Sequence, residues 1–139
     1  QVIARVGDNI FVHGGVLPEH VAYGIDAINS SAQAWLRGDA DLPSVLSGSF
    51  SPQWTRLYSD DPDSSACSVL EKALNALEAK RIVMGHTIQQ SGITSACGAR
   101  AWRIDVAMAA YYAARNDYGG SVEVLEIVGD SVRVLKEGG

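Results

Sequence analysis

The chain has little of what would make it a nucleic-acid binder, a membrane protein or a disulfide-stapled miniprotein. Its 11 Lys and Arg are outnumbered by 16 Asp and Glu, for a net charge of −5. A duplex-binding surface is built on a basic excess, so nucleic acid is not an expected partner. No apolar run comes near the ~20 residues of a helical membrane span, so none is expected. Two cysteines, Cys67 and Cys97, cannot make the dense framework of a small secreted scaffold. Ordinary buried thiols are the plainer reading of that pair. A redox-sensitive pair is the sharper one, separated from it by whether the Cα atoms lie within ~7 Å. Internal repeats, low-complexity tracts, linkers and a targeting leader are also missing. What remains is 139 residues, 47% hydrophobic and 19% charged, enough to fill the core of one soluble domain. An intracellular protein is expected, its address otherwise open. The chain starts at Gln1 in a strand-like run rather than at Met, so the expectation is a processed product or a piece of something longer.

The apolar pattern predicts a mixed structure. Gly7-Asp8-Asn9 separates two short apolar runs, 2–6 and 10–12, as a hairpin turn does. A helix is expected from Pro18, a residue tolerated at a first helical position, to Arg37-Gly38. Val21, Ile25, Ile28, Ala32 and Trp35 form its apolar stripe. Residues 39–65 read as a loop with helical turns near 54–57, long enough to be functional. Ser68 to Glu71 fits a capping box opening a helix that runs to Ala79. Strands are expected over 81–85 and 101–108, and a hairpin over 122–128 and 131–135. Strands outnumber helices, so the class is α/β or α+β with a mixed sheet.

Two of the three histidines share a setting. His13 follows Phe11-Val12 and precedes Gly14-Gly15; His86 follows Val83-Met84-Gly85. Strand ends hold a side chain rigidly, and glycine lets the backbone turn sharply or approach a ligand. Neutral imidazole is a good ligand for divalent transition metals. Each histidine alone reads more readily as a core or rim residue, and His20 reads as a surface residue of the first helix. Two imidazoles do not complete a metal site, which takes three or four ligands. From the residues alone, the pair is half of a possible site.

The segment Gly7-Asp8-Asn9-Ile10-Phe11-Val12-His13-Gly14-Gly15-Val16-Leu17-Pro18 resembles a phosphoprotein phosphatase motif of the calcineurin-like metallophosphoesterase superfamily. Gly85-His86-Thr87 is similar to a later motif of the same superfamily. Trp54-Thr55-Arg56, Cys67 to Glu71, Met84 to Gln89 and Arg103-Ile104-Asp105-Val106 resemble the Shewanella-like protein phosphatases. The resemblance covers nearly the whole chain. It implies the C-terminal half of a calcineurin-like β-sandwich with flanking helices. It also implies hydrolysis of phosphomonoesters on a phosphoprotein or phosphopeptide, at two divalent ions (Mn, Fe or Zn) sharing a bridging water. On that likeness His13 and His86 would ligate one metal, and the planar fork of Arg56 would grip phosphate. Asp105 would orient a ligand histidine by accepting its other N–H. For Arg56 the plainer alternative is an ion pair with Asp60 or Asp61. For Asp105 it is an ordinary buried hydrogen bond, and for the 60–63 acidic run a solvated loop.

The departures are as informative. The superfamily's earlier motifs, which supply the other metal's ligands, the bridging aspartate and the general acid, do not occur in these 139 residues. The expectation is therefore the C-terminal part of a metallophosphoesterase domain, inactive alone. Ala107 stands where relatives tend to carry Gly. Residues 113–118 look like a small insertion, leaving open how 108–112 lines a substrate cleft. Two rival readings stay in view: a dinucleoside polyphosphate hydrolase of the same superfamily, and a non-catalytic domain that recruits a partner through an open sheet edge near 2–6.

Overall fold

The computed structural model describes residues 1–113 and 121–136. Five strands form one mixed sheet in the order β1-β2-β3-β5-β4: β1 Ile3–Val6, β2 Asn9–Val12, β3 Arg81–Met84, β4 Thr94–Ala96 and β5 Ala101–Arg103. β1 runs antiparallel to β2 and β4 antiparallel to β5, while β2, β3 and β5 are parallel to one another. Helices α1 Pro18–Tyr23, α2 Ile25–Arg37 and α3 Ser64–Ala76 all lie in the connection from β2 to β3. A short helix, α4 Ala110–Ala113, precedes the two-stranded sheet of β6 Glu123–Val128 and β7 Ser131–Lys136.

Side-chain alternation along each strand decides the layers. Ile3, Ile10, Val12, Ile82, Met84 and Ala101 share one core with Ile28 and Ala32 of α2 and Leu70 and Leu74 of α3. Each large aliphatic side chain so buried contributes about 1.5–3 kcal/mol. Phe11 and Val83 lie on the opposite face and, with Leu125 and Ile127 of the hairpin, line a gap of about 390 Å³. The hairpin is anchored by the buried Glu123. Its carboxylate accepts from the Ile93 N–H at 2.7 Å and pairs with Lys136 Nζ at 3.0 Å.

The β1 edge is partly covered. Asn29 of α2 accepts from the Val2 and Ile3 N–H groups and donates to the Ile3 carbonyl. The edge near 2–6 expected to recruit a partner is therefore not open at Ile3.

Several sequence expectations are corrected. The helix expected from Pro18 to Arg37 is two helices, broken at Gly24, whose φ of 101° no other residue adopts readily. Its end is as expected, with Gly38 left-handed at φ 78°. α3 starts four residues before Ser68, because Asp63 caps it by accepting from the Ala66 N–H. The strand expected over 101–108 stops at Arg103, and β4 was not expected at all. His20 is buried, not a surface residue. Its Nδ1 accepts from the Leu17 N–H at 3.0 Å, satisfying a donor that the start of α1 leaves unpaired. Cys67 and Cys97 are not free thiols but a disulfide, with Cα atoms 5.2 Å apart, fastening α3 to the turn after β4. Of the apparent insertion, residues 114–118 lie outside the described residues.

Candidate functional site

Parallel pairing of β2 with β3 puts the two histidines together. The register Val12↔Met84 aligns the strand ends, and His13 and His86 are the next residues but for Gly85. The Gly85 N–H donates to the His13 carbonyl at 3.0 Å, tying the two ends to each other. His13 Nε2 lies 3.1 Å from His86 Nδ1, with ring centroids 4.8 Å apart.

Gly14-Gly15 brings a third segment in. Both N–H groups donate to the Pro52 carbonyl. A Cβ at position 14 would sit 2.8 Å from the Thr55 carbonyl oxygen, and one at position 15 would sit 2.9 Å from the Thr55 methyl. Only glycines allow this approach, and it carries Trp54 and Arg56 to the histidines. The Trp54 indole meets the His86 ring edge-on at 5.3 Å. Arg56 Nη1 donates to the His86 carbonyl at 2.6 Å and to Thr87 Oγ1 at 2.9 Å. The alternative ion pair of Arg56 with Asp60 or Asp61 is not formed; Asp61 pairs with Arg103 instead.

Beside these groups opens a cleft of about 660 Å³, walled by Phe50, Trp54, Arg56, Leu57 and His86. Phe50 and Trp54 are both exposed there. Burial, then the Arg56 charge and then His13 push the His86 pKa below the ordinary imidazole value, favouring its neutral form. Its Nε2 is buried without a hydrogen-bond partner among the described residues, and its backbone is left-handed at φ 66°, costly for a residue with a side chain.

Two imidazole nitrogens bound to one ion at ~2.0–2.1 Å lie ~2.8–3.0 Å apart at a right angle and ~3.3–3.4 Å apart at the tetrahedral angle. The observed 3.1 Å fits two such ligands; a single proton held between the rings fits it equally. No group of three or more His, Cys, Asp or Glu placed to hold an ion occurs among the described residues. Among the described residues two imidazoles meet here, fewer than the three or four ligands a metal site takes. Asp105 packs near Gly85, and its Oδ1 accepts from the Ala107 N–H at 3.2 Å. Ala107 is left-handed at φ 53°, a conformation that glycine adopts more readily than alanine. Met108 lines the gap under the hairpin rather than the Arg56 cleft.

Ser59 and Thr87 were not singled out from sequence. Their hydroxyls are 2.7 Å apart, and Thr87 Oγ1 takes the Arg56 hydrogen bond. Thr87 closes the Gly85-His86-Thr87 motif read from sequence, while Ser59 is three residues past Arg56, one turn away, which is its only signal.

No family model matches the chain. It is 41% identical over 141 residues to Shewanella-like protein phosphatase 2 of Arabidopsis thaliana, a match taking in 97% of this chain and 35% of that protein. It is 31% identical over 109 residues to an uncharacterized protein of Schizosaccharomyces pombe, across 74% of this chain and 32% of that one. Among solved structures, the cold-active protein-tyrosine phosphatase of a psychrophilic Shewanella species superposes with a TM-score of 0.72 at 20% identity. That match covers 96% of this chain and 39% of the enzyme's. A second structure titled cold-active protein tyrosine phosphatase gives 0.66 at 22%, covering 89% and 36%. The chain spans about a third of the length of its curated relatives. It therefore shares the α+β fold of one part of the Shewanella enzyme, and is homologous to about a third of a Shewanella-like protein phosphatase.

Proposed function

We propose that this chain is the C-terminal part of a metal-dependent phosphoprotein phosphatase built on the calcineurin-like metallophosphoesterase sandwich. The meeting of His13 and His86 at 3.1 Å, with Arg56 on their rim, carries this reading. His13 and His86 would hold one of two divalent ions, Mn, Fe or Zn, with the remaining ligands and the general acid in segments outside these 139 residues. When bound, such ions supply an acidified water and neutralise phosphate oxygens. Gly85 and the paired strands hold the imidazoles in place, and the low pKa of His86 keeps its ring free to donate a lone pair. Arg56 spends Nη1 on the His86 turn and makes no other hydrogen bond among the described residues. Its Nε and Nη2 are left for two phosphate oxygens. The substrate is a phosphoprotein or phosphopeptide. Phe50 and Trp54 as cleft walls favour an aryl phosphate, in keeping with the tyrosine named for the cold-active phosphatases.

The test is made on the protein expressed from its complete reading frame, with Mn2+ and a phosphopeptide. His13→Ala and His86→Ala are each expected to lower kcat/KM by about 100-fold or more and to weaken Co2+ binding by calorimetry. Arg56→Lys is expected to raise KM about tenfold or more, since a point charge does not replace the fork. Full turnover and full metal affinity in both histidine variants would overturn the reading.

A further inference from the structure

We propose that Gln89 is a positioning residue of this site, acting on phosphate through Arg56; the proposal rests on the phosphatase reading above. Its carboxamide is used at both ends. Nε2 donates to the Thr87 carbonyl at 2.9 Å and to the Ser59 carbonyl at 3.1 Å. Oε1 accepts from Thr94 Oγ1 at 2.9 Å, a hydroxyl that also takes a bond from Arg103 Nε. The Gln89 backbone N–H donates to the Asp105 carbonyl at 2.7 Å. One side chain thus joins three segments: the turn after β3, the loop holding Arg56, and β4.

What it joins is the part of the site under most strain. His86 is left-handed, and the two carbonyls that follow from its turn are each claimed by a side chain. The His86 carbonyl takes Arg56 Nη1, and the Thr87 carbonyl takes Gln89 Nε2. With both peptide groups held, the turn has little freedom to relax to an ordinary conformation. Ser59 is fixed twice, by its carbonyl to Gln89 and by its hydroxyl to Thr87, whose Oγ1 in turn receives Arg56. The guanidinium is therefore aimed by a frame that Gln89 closes. Glutamine suits the task because two donors and one acceptor on a planar group match two carbonyls and one hydroxyl. Glutamate would turn an oxygen toward two carbonyl oxygens.

A double-mutant cycle on the complete protein tests this. Phosphopeptide kinetics and the calorimetric affinity for inorganic phosphate are measured for wild type, Gln89→Ala, Arg56→Ala and the double variant. Gln89→Ala is expected to weaken phosphate binding and lower kcat/KM about tenfold, chiefly through KM. In the Arg56→Ala background the same change is expected to cost less than about twofold, because its intermediary is gone. Gln89→Met, which keeps the volume and loses the donors, serves if the alanine variant fails to fold, and should give the same pattern. Effects that multiply independently, or a Gln89 variant with unaltered phosphate affinity, would overturn the proposal. A wild-type protein with neither metal-dependent turnover nor phosphate binding would overturn the phosphatase reading as well; activity with independent effects would overturn only the role of Gln89.

Discussion

A methyl group at position 14 has nowhere to go. It would meet Thr55 and Gln53 backbone atoms at 2.8–2.9 Å, and backbone cannot yield as a flexible side chain can. Gly14→Ala is expected to destabilise the fold by about 1–3 kcal/mol and to push the 52–56 loop, with Arg56, off the histidines. Urea unfolding checks the first effect, and loss of phosphate affinity checks the second. His20 gives a pH prediction. Burial is the largest influence on it and sets its pKa below 6.5, against the pull of Glu19 and the Phe50 carbonyl. The unfolded imidazole takes up its proton near 6.5 while the folded one still resists. The unfolded chain then binds more protons, so stability falls as pH drops through 6.5 and levels off below the folded pKa. His86 shifts the same way. His20→Gln should flatten the slope of stability just below pH 6.5, as read from melting temperatures; an unchanged slope would count against this assignment. At this scale His13 and His86 were legible because an apolar run and a glycine framed each. Ser59 was not, because hydroxyls are common in loops and only tertiary contacts single it out; Thr87 and Gln89 lie in the segment Met84 to Gln89 that carries the family resemblance, but nothing there marked their side chains as working groups.

The elements were legible where periodicity was strong and uninterrupted. The Gly7 hairpin, β3 and the β6–β7 pair stand within a residue or two of expectation. The single long helix failed at Gly24 because the apolar stripe continues across the break in phase, so spacing alone does not reveal it. The start of α3 was misplaced because two capping signals compete there, and Asp63 wins. β5 was over-extended because the apolar residues after Arg103 pack as irregular chain, with Val106 and Ala107 buried. The disulfide joins α3 to the β4–β5 turn across 30 residues of sequence. Closing a loop of that length removes entropy from the unfolded chain worth about 3–4 kcal/mol. Reduction, or Cys67→Ser with Cys97→Ser, is expected to lower the unfolding free energy by that order, measured by urea titration with and without thiol.

For the molecule as a whole, the mixed sheet followed from sequence, while the strand order and the packing of the helices on one face did not. β2 and β3 are neighbours separated by 68 residues of chain, and local pattern carries no information about such a pairing. Yet that pairing makes the site: placed anywhere else in the sheet, β3 would carry His86 away from His13. On the proposed reading, which puts the remaining metal ligands and the general acid outside these residues, the 139-residue chain alone should show little or no hydrolysis of p-nitrophenyl phosphate in Mn2+. Robust turnover, lost in His13→Ala, would show that it needs nothing further. The Cys67–Cys97 bridge has one more effect on the molecule. Everything from Ser68 to Ala96 lies between the two half-cystines, His86 and Gln89 included. A protease that nicks the backbone within that stretch yields two polypeptides that still travel as one band on a gel, and separate only when a reductant is added.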